Sequence, residues 1–188
     1  MDEPLPVELM NTVWADRVEV HDSLADPEGA LAWLRGIELE GVRDWPRGVR
    51  LGEALDDLRE LRDAVRVLAA DVTGNPRVRV TPDDRQAAID TVNRSCALAP
   101  QWSSLRWPDS RELHSAGAPG QALVSVLAEQ VVELFSGEQR SSLRACLAPG
   151  CVRYFVKQHP RREWCSAGCG NRARVARYYQ RHHGEGGN

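Results

Sequence analysis

Lysine is almost missing from this chain: Lys157 is the only one, set against abundant arginine. Genome composition produces such a bias as readily as function does, so no function is drawn from it. Long apolar runs are missing as well. No stretch approaches the ~18 residues that a membrane span needs, although 42% of the residues are hydrophobic and can bury a core. The opening Met1-Asp2-Glu3-Pro4 lacks the charged-then-apolar pattern of a secretory signal. That predicts a cytoplasmic protein whose thiols stay reduced. Catalytic signatures are absent too. There is no phosphate-binding glycine loop and no serine elbow, and His21-Asp22 and His114-Ser115 are isolated pairs with no third partner in view. The chain is expected not to be an enzyme.

Cysteine is present, and four of the five cluster near the C-terminus. Cys146, Cys151, Cys165 and Cys169 follow the spacing C-x4-C-x13-C-x3-C. Two close pairs separated by a hairpin-sized gap suit a tetrahedral thiolate site, each pair wrapping one edge of a metal. Four soft thiolates with no open position suit redox-inert Zn2+. A disulfide framework suits small secreted domains instead. Cys96 stands apart among apolar neighbours and is expected to be a buried small side chain.

The net charge of −3 hides a split. Residues 1–139 hold 14 arginines against 25 aspartates and glutamates, a net of −11; residues 140–188 hold 10 basic against 2 acidic residues, a net of +8. An acidic body with a basic metal-bearing tail points to a polyanion partner for the tail, nucleic acid first. The alternative is a tail that docks on the acidic body of its own or a second subunit.

Local patterns place the elements. Asp26-Pro27-Glu28 predicts a helix start, with the helix running to about Arg35. A Gly- and Pro-rich loop from Gly36 to Gly48 follows. Leu51, Leu55, Leu58, Leu61, Val65, Leu68 and Val72 recur at three- and four-residue steps and predict one long amphipathic helix, stopped by Gly74-Asn75-Pro76. Arg77 to Val80 reads as a short strand, and Thr81-Pro82-Asp83-Asp84 as the cap of a helix reaching about Leu98. Trp102 to Trp107 and Arg111 to Ser115 read as two short strands around Pro108-Asp109-Ser110. A second apolar helix spans Pro119 to Phe135, and a linking helix is expected from Glu138 to about Ala145. Val152 to Val156 suits a strand that turns at Gln158-His159-Pro160 and returns through Arg161 to Trp164. Ser166 then caps the last helix, which carries Cys169 in its first turn. The expected fold is α+β: a mainly helical N-terminal domain over 1–139 with a few short strands, a treble-clef-like four-cysteine finger over 140–183, and a disordered tail over 184–188.

The finger resembles the CGNR zinc-finger family, whose members join an N-terminal ABATE domain to it. The matching residues are Arg144-Ala145-Cys146, Pro149-Gly150-Cys151, Tyr154-Phe155, Arg162, Trp164-Cys165-Ser166 and Cys169-Gly170-Asn171-Arg172-Ala173-Arg174-Val175. Upstream, Met10-Asn11-Thr12 and Pro27-Glu28-Gly29-Ala30-Leu31-Ala32-Trp33-Leu34 look like the opening of the ABATE domain. The resemblance is specific in the finger and loose in the body. It implies a stress-induced transcription regulator from bacteria.

At 100° per residue, Arg172, Val175, Ala176 and Tyr179 share one stripe of the last helix, while Arg174, Arg177 and Arg181 share the opposite face. Arg172 is therefore expected to support the finger by bridging carbonyls of the metal loops. Asn171 is expected to satisfy nearby backbone, and Trp164 to support the finger with them. Arg174, Arg177 and Arg181 are the candidates for phosphate contact, with Arg161 and Arg162 as a second basic rim. His159 reads as a turn residue, and His182 and His183 as a frayed end rather than a metal pair. Trp14, Trp33 and Trp102 are expected in the core, with a shared ligand pocket as the alternative. Asn11 and Thr12 suggest either a polar contact inside the body or helix-end capping. Together these readings predict a DNA-binding regulator whose body senses a small molecule, forms a homodimer, or both. A single small finger buries little surface, so useful affinity calls for a dimer. The other readings are an interaction protein with a purely structural zinc module, and an unrecognised enzyme in the N-terminal body.

Overall fold

A computed structural model describes residues 3–16, 18–37 and 51–183 of the chain. The expected tail over 184–188, and the expected loop beyond Ile37, lie outside the described residues. The order of elements is α1 (Leu5–Met10), β1 (Val13–Ala15), β2 (Val20–Asp22), α2 (Pro27–Arg35), α3 (Leu51–Thr73), α4 (Pro82–Ala97), β3 (Gln101–Arg106), β4 (Ser110–Ser115), α5 (Pro119–Ser136), β5 (Leu143–Ala145), β6 (Tyr154–Val156) and α6 (Ala167–His183). Among the described residues the strands form three separate antiparallel pairs, β1–β2, β3–β4 and β5–β6. This is a mainly helical α+β body followed by a four-cysteine finger.

The helix starts are chemical. Asp26 accepts the Gly29 N–H at 2.8 Å, with Pro27 in the first helical position. Thr81 and Asp84 close a reciprocal capping box, the Asp84 N–H reaching Thr81 Oγ1 at 3.1 Å and the Thr81 N–H reaching Asp84 Oδ2 at 2.9 Å. Both devices satisfy N–H groups that the first helical turn leaves without partners.

The core lies between α3, α4 and α5. From α3 it takes Leu55, Leu58, Leu61 and Val65; from α5 it takes Leu123, Leu127, Val131 and Leu134. Toward the end of α3 the buried stripe drifts onto Ala69 and Ala70, and Leu68 and Val72 are only half-buried. A straight helix drifts in this way against a seven-residue repeat. Gly120 sets how close α5 comes to α3, because a Cβ there would stand 2.6 Å from Ala54 Cβ. Gly120→Ala is expected to force the helices apart and cost about 1–3 kcal/mol, the usual penalty of overpacking. Urea unfolding measures it; an unchanged midpoint would show that the contact yields freely.

Two expected elements differ from those observed. Arg77 to Val80 is not a strand. The Arg77 N–H bonds Asn75 Oδ1 at 3.1 Å and the Val78 N–H bonds the Asn75 carbonyl at 3.1 Å, so the chain turns there instead of extending along a partner. The expected linking helix shortens to a 3-10 turn over Glu138–Ser142, and the chain then extends into β5. Extension wins because Leu143 reaches the body's core and Leu143–Ala145 pairs with Tyr154–Val156.

Cys96 is half-buried, with its thiol pushed up to about 11, chiefly by burial and then by Glu129. The tryptophans do not share one environment. Trp14 stacks on His21 with ring centroids 4.0 Å apart and Trp33 is half-buried, whereas Trp102 stacks on His114 at the surface. Neither histidine pairs with its sequence neighbour. His21 Nε2 lies 2.9 Å from Asp16, and His114 Nε2 lies 2.7 Å from Ser104 Oγ.

Candidate metal centre

The finger begins where β5 ends. The chain curls through Cys146–Cys151 and returns as β6, so the expected strand over Val152 to Val156 pairs backwards with Leu143–Ala145. The expected return through Arg161 to Trp164 forms no strand; it crosses to the second cysteine pair as a turn, with Arg162 N–H on the His159 carbonyl at 2.9 Å. Gly150 allows the first curl at a φ of 69°, in the left-handed region. Ser166 Oγ accepts the Cys169 N–H at 3.2 Å and caps α6, placing Cys169 in its first turn.

This path brings the four sulfurs of Cys146, Cys151, Cys165 and Cys169 within 4.8 Å of one another. Cys151 and Cys165 are 3.8 Å apart, and Cys165 and Cys169 are 3.4 Å apart. A zinc tetrahedron with bonds near ~2.3 Å has sulfur–sulfur edges of about 3.8 Å, so the donors are already spaced for the ion. Their protonation argues the same way. Hydrogen bonds from Cys151 and then Cys165 draw Cys146 far below the ordinary thiol range. The hydrogen bond with Cys146 pushes Cys151 up to about 11, and hydrogen bonds with Cys146 and Cys151 push Cys165 up as well. One thiolate among these sulfurs thus opposes the next, and a dication cancels the repulsion. Cys146, Cys151 and Cys169 are buried and Cys165 half-buried. Four thiolates complete the shell, so this is a closed structural zinc site.

A small second core surrounds it, made of Ala148, Phe155 and the cysteines, with Trp164 against them. Gly170 follows from that packing: a Cβ there would meet Trp164 Cδ1 at 3.2 Å. Arg172 does not bridge loop carbonyls as expected. Its Nη2 donates to Cys169 Sγ at 3.0 Å and so neutralises part of the thiolate charge directly. Asn171 does not satisfy backbone; its Oδ1 accepts a hydrogen bond from Arg174.

The loop carbonyls are held by residues that sequence reading did not select. Arg77 Nη1 donates to the carbonyls of Cys151 at 2.6 Å and Cys146 at 3.2 Å, and its Nη2 to those of Leu147 at 2.9 Å and Ala148 at 3.1 Å. Arg66 spans Met10 O at 2.7 Å and Val152 O at 3.1 Å. Asn11 mimics a strand residue, since its side chain gives to Tyr154 O and takes from Tyr154 N, both at 2.9 Å. Thr12 instead caps locally, on Leu9 O at 2.8 Å. Leu143, Tyr154 and Val156 join the body's core, so finger and body are packed as one.

The basic residues divide by environment. Arg162, expected on an outward rim, is turned inward. It pairs with Glu3 and donates to the carbonyls of Val156 at 3.0 Å and Cys165 at 3.2 Å. Arg161 remains exposed, its N–H on His159 Nδ1 at 3.1 Å, which makes His159 a turn residue. His182 is exposed and packs on the Tyr178 ring, 4.3 Å between centroids. Arg174, Arg177 and Arg181 lie exposed on α6, each Nε donating to the carbonyl four residues earlier. The expected apolar stripe of α6 is corrected. Its buried residues are Cys169 and Ala173, whereas Val175 is 54% and Tyr179 56% exposed. Beyond Ala173 the described side chains of α6 are half-buried or exposed.

Comparison with known families fits these two parts. The ABATE family, described as "Putative stress-induced transcription regulator", matches residues 3–138. The CGNR zinc finger matches residues 142–182. No curated protein matches the chain.

Proposed function

The chain belongs to the ABATE family and carries a CGNR zinc finger, and on that premise we propose that it regulates transcription by binding DNA through α6. One observation carries the reading: Arg174, Arg177 and Arg181 are all exposed on α6, at the far end of a chain whose body carries the opposite charge. A basic face on a zinc-anchored helix meets phosphate, while a body at −11 turns away from it. The zinc is structural and holds the helix at its angle. The body is the sensing or dimerising part of a cytoplasmic bacterial protein without catalytic function. Among the described residues no helix is long and apolar enough to cross a membrane.

Exposed Val175 and Tyr178 beside the same arginines favour a second reading, in which α6 docks on an acidic protein surface. Duplex binding at two salt concentrations separates the two. Arg174→Ala, Arg177→Ala and Arg181→Ala are each expected to weaken all duplexes alike and to lower the salt slope by about 0.9 per lost phosphate contact. Zinc content and melting should not change. If the wild-type protein binds no duplex at low salt, the protein-docking reading replaces this one.

A further inference from the structure

The end of α3 is built to aim one arginine at the metal loop. Gly74 takes a φ of 56° and ends the helix, and the Asn75 N–H closes back on Ala70 O at 3.0 Å. Asn75 then works in two directions. Its Oδ1 takes the Arg77 N–H at 3.1 Å, and its Nδ2 donates to Tyr154 Oη, in the finger, at 3.3 Å. Pro76 stiffens the step between them. Arg77 leaves this turn with its backbone already held, and its two terminal nitrogens reach four carbonyls of one loop, those of Cys146, Leu147, Ala148 and Cys151.

Those carbonyls belong to the loop that carries the first two zinc ligands. Four carbonyl dipoles gathered on one side of a six-residue loop repel one another, and a guanidinium among them removes the cost. With the carbonyls held there, the guanidinium supports the curl that presents Cys146 and Cys151 to the metal. A lysine could not do this, because its ammonium is a compact point charge without the planar fork.

We infer that Arg77 is a positioning residue for the zinc site: the body, through this one side chain, sets how tightly the finger keeps its metal. The inference rests on the four-cysteine site alone and is independent of what α6 binds. It makes metal retention a property of the whole chain. Anything that moves the turn at Gly74–Arg77 also loosens the loop at Cys146–Cys151.

The test uses the full chain and zinc itself. Arg77→Ala and Arg77→Lys are loaded with zinc, and transfer of the metal to a chromogenic chelator is followed to equilibrium. Arg85→Ala is the control, because Arg85 pairs with Asp71 on the body's surface. Outer hydrogen-bond partners of metal sites typically change affinity by about 10–100-fold. Arg77→Ala is expected to lose about tenfold or more in zinc affinity, Arg77→Lys to recover only part of it, and Arg85→Ala to lose none. Cobalt substitution adds a spectroscopic readout, since the thiolate-to-metal and ligand-field bands report the shape of the sulfur cage. Those bands should broaden or shift in Arg77→Ala. If Arg77→Ala fails to fold, Arg77→Lys carries the test, because it keeps the charge and the stem. The inference is overturned if the folded variants lower the melting temperature but keep wild-type zinc affinity and cobalt spectrum. Full recovery by Arg77→Lys would also overturn it, since a point charge would then suffice.

Discussion

Stripping zinc from the full chain is expected to unfold the finger and to destabilise the body with it. The first half follows from size. The finger's own core is Ala148, Phe155 and the ligand cysteines with Trp164 alongside, too little apolar surface to hold a fold alone. Structural zinc contributes on the order of 10–16 kcal/mol of apparent binding free energy in comparable small modules. The second half follows from the shared core. Leu143, Tyr154 and Val156 are buried among residues of α1, α3 and α5. When β5 and β6 come apart, Asn11 loses both bonds to Tyr154, Glu3 loses the Val156 N–H, and Arg66 loses Val152 O. Hydrogen exchange on metal-free protein should therefore show lost protection in β5 and β6 and raised exchange in α1. Thermal melting should fall for the whole chain, and by more as chelator increases. A body transition that keeps its temperature after complete metal removal would mean that the shared core contributes little.

The second large effect lies in α3. Leu58 is 1% exposed and Val65 fully buried, both on the stripe that packs against α5 and α4. Leu58→Ala removes three heavy atoms from a site enclosed on all sides and leaves a cavity, which costs about 2–5 kcal/mol. A marginally stable domain of this size has about 5–15 kcal/mol in all. The variant should lower the urea midpoint with little change in its slope. Val65→Ala should cost less, because a smaller side chain is lost. A Leu58→Ala loss below about 0.5 kcal/mol, the range of surface substitutions, would mean that the stripe is not core.

The zinc site was legible for a simple reason. Its ligands sit in two close pairs, and the geometry of each pair is set by the few residues between them. The helix caps at Asp26 and Thr81 were legible on the same grounds, as was the α3 stripe, because a 3.6-residue period is a local signal. The expected strand over Arg77 to Val80 failed because alternating Arg and Val match a strand in composition, while the Asn75 turn just upstream had already bent the backbone. The linking helix failed because Leu143 is worth more in the body's core than in a helix turn.

The sequence by itself thus determined the chemistry of this protein: a tetrahedral thiolate site for zinc, a basic helix attached to it, an acidic helical body, and a family resemblance carried by the finger's motifs. Only the tertiary structure decided how the two parts are joined. Arg77 and Cys151 are 74 residues apart, Asn11 and Tyr154 are 143 apart, and Glu3 and Arg162 are 159 apart. Contacts at such separations leave no periodic or motif signal, because each partner is chosen by where the chain returns in space. The same holds for α6. A helical wheel tells which residues share a face, but which face is covered depends on what stands beside it, and past Ala173 the described side chains of α6 are half-buried or exposed.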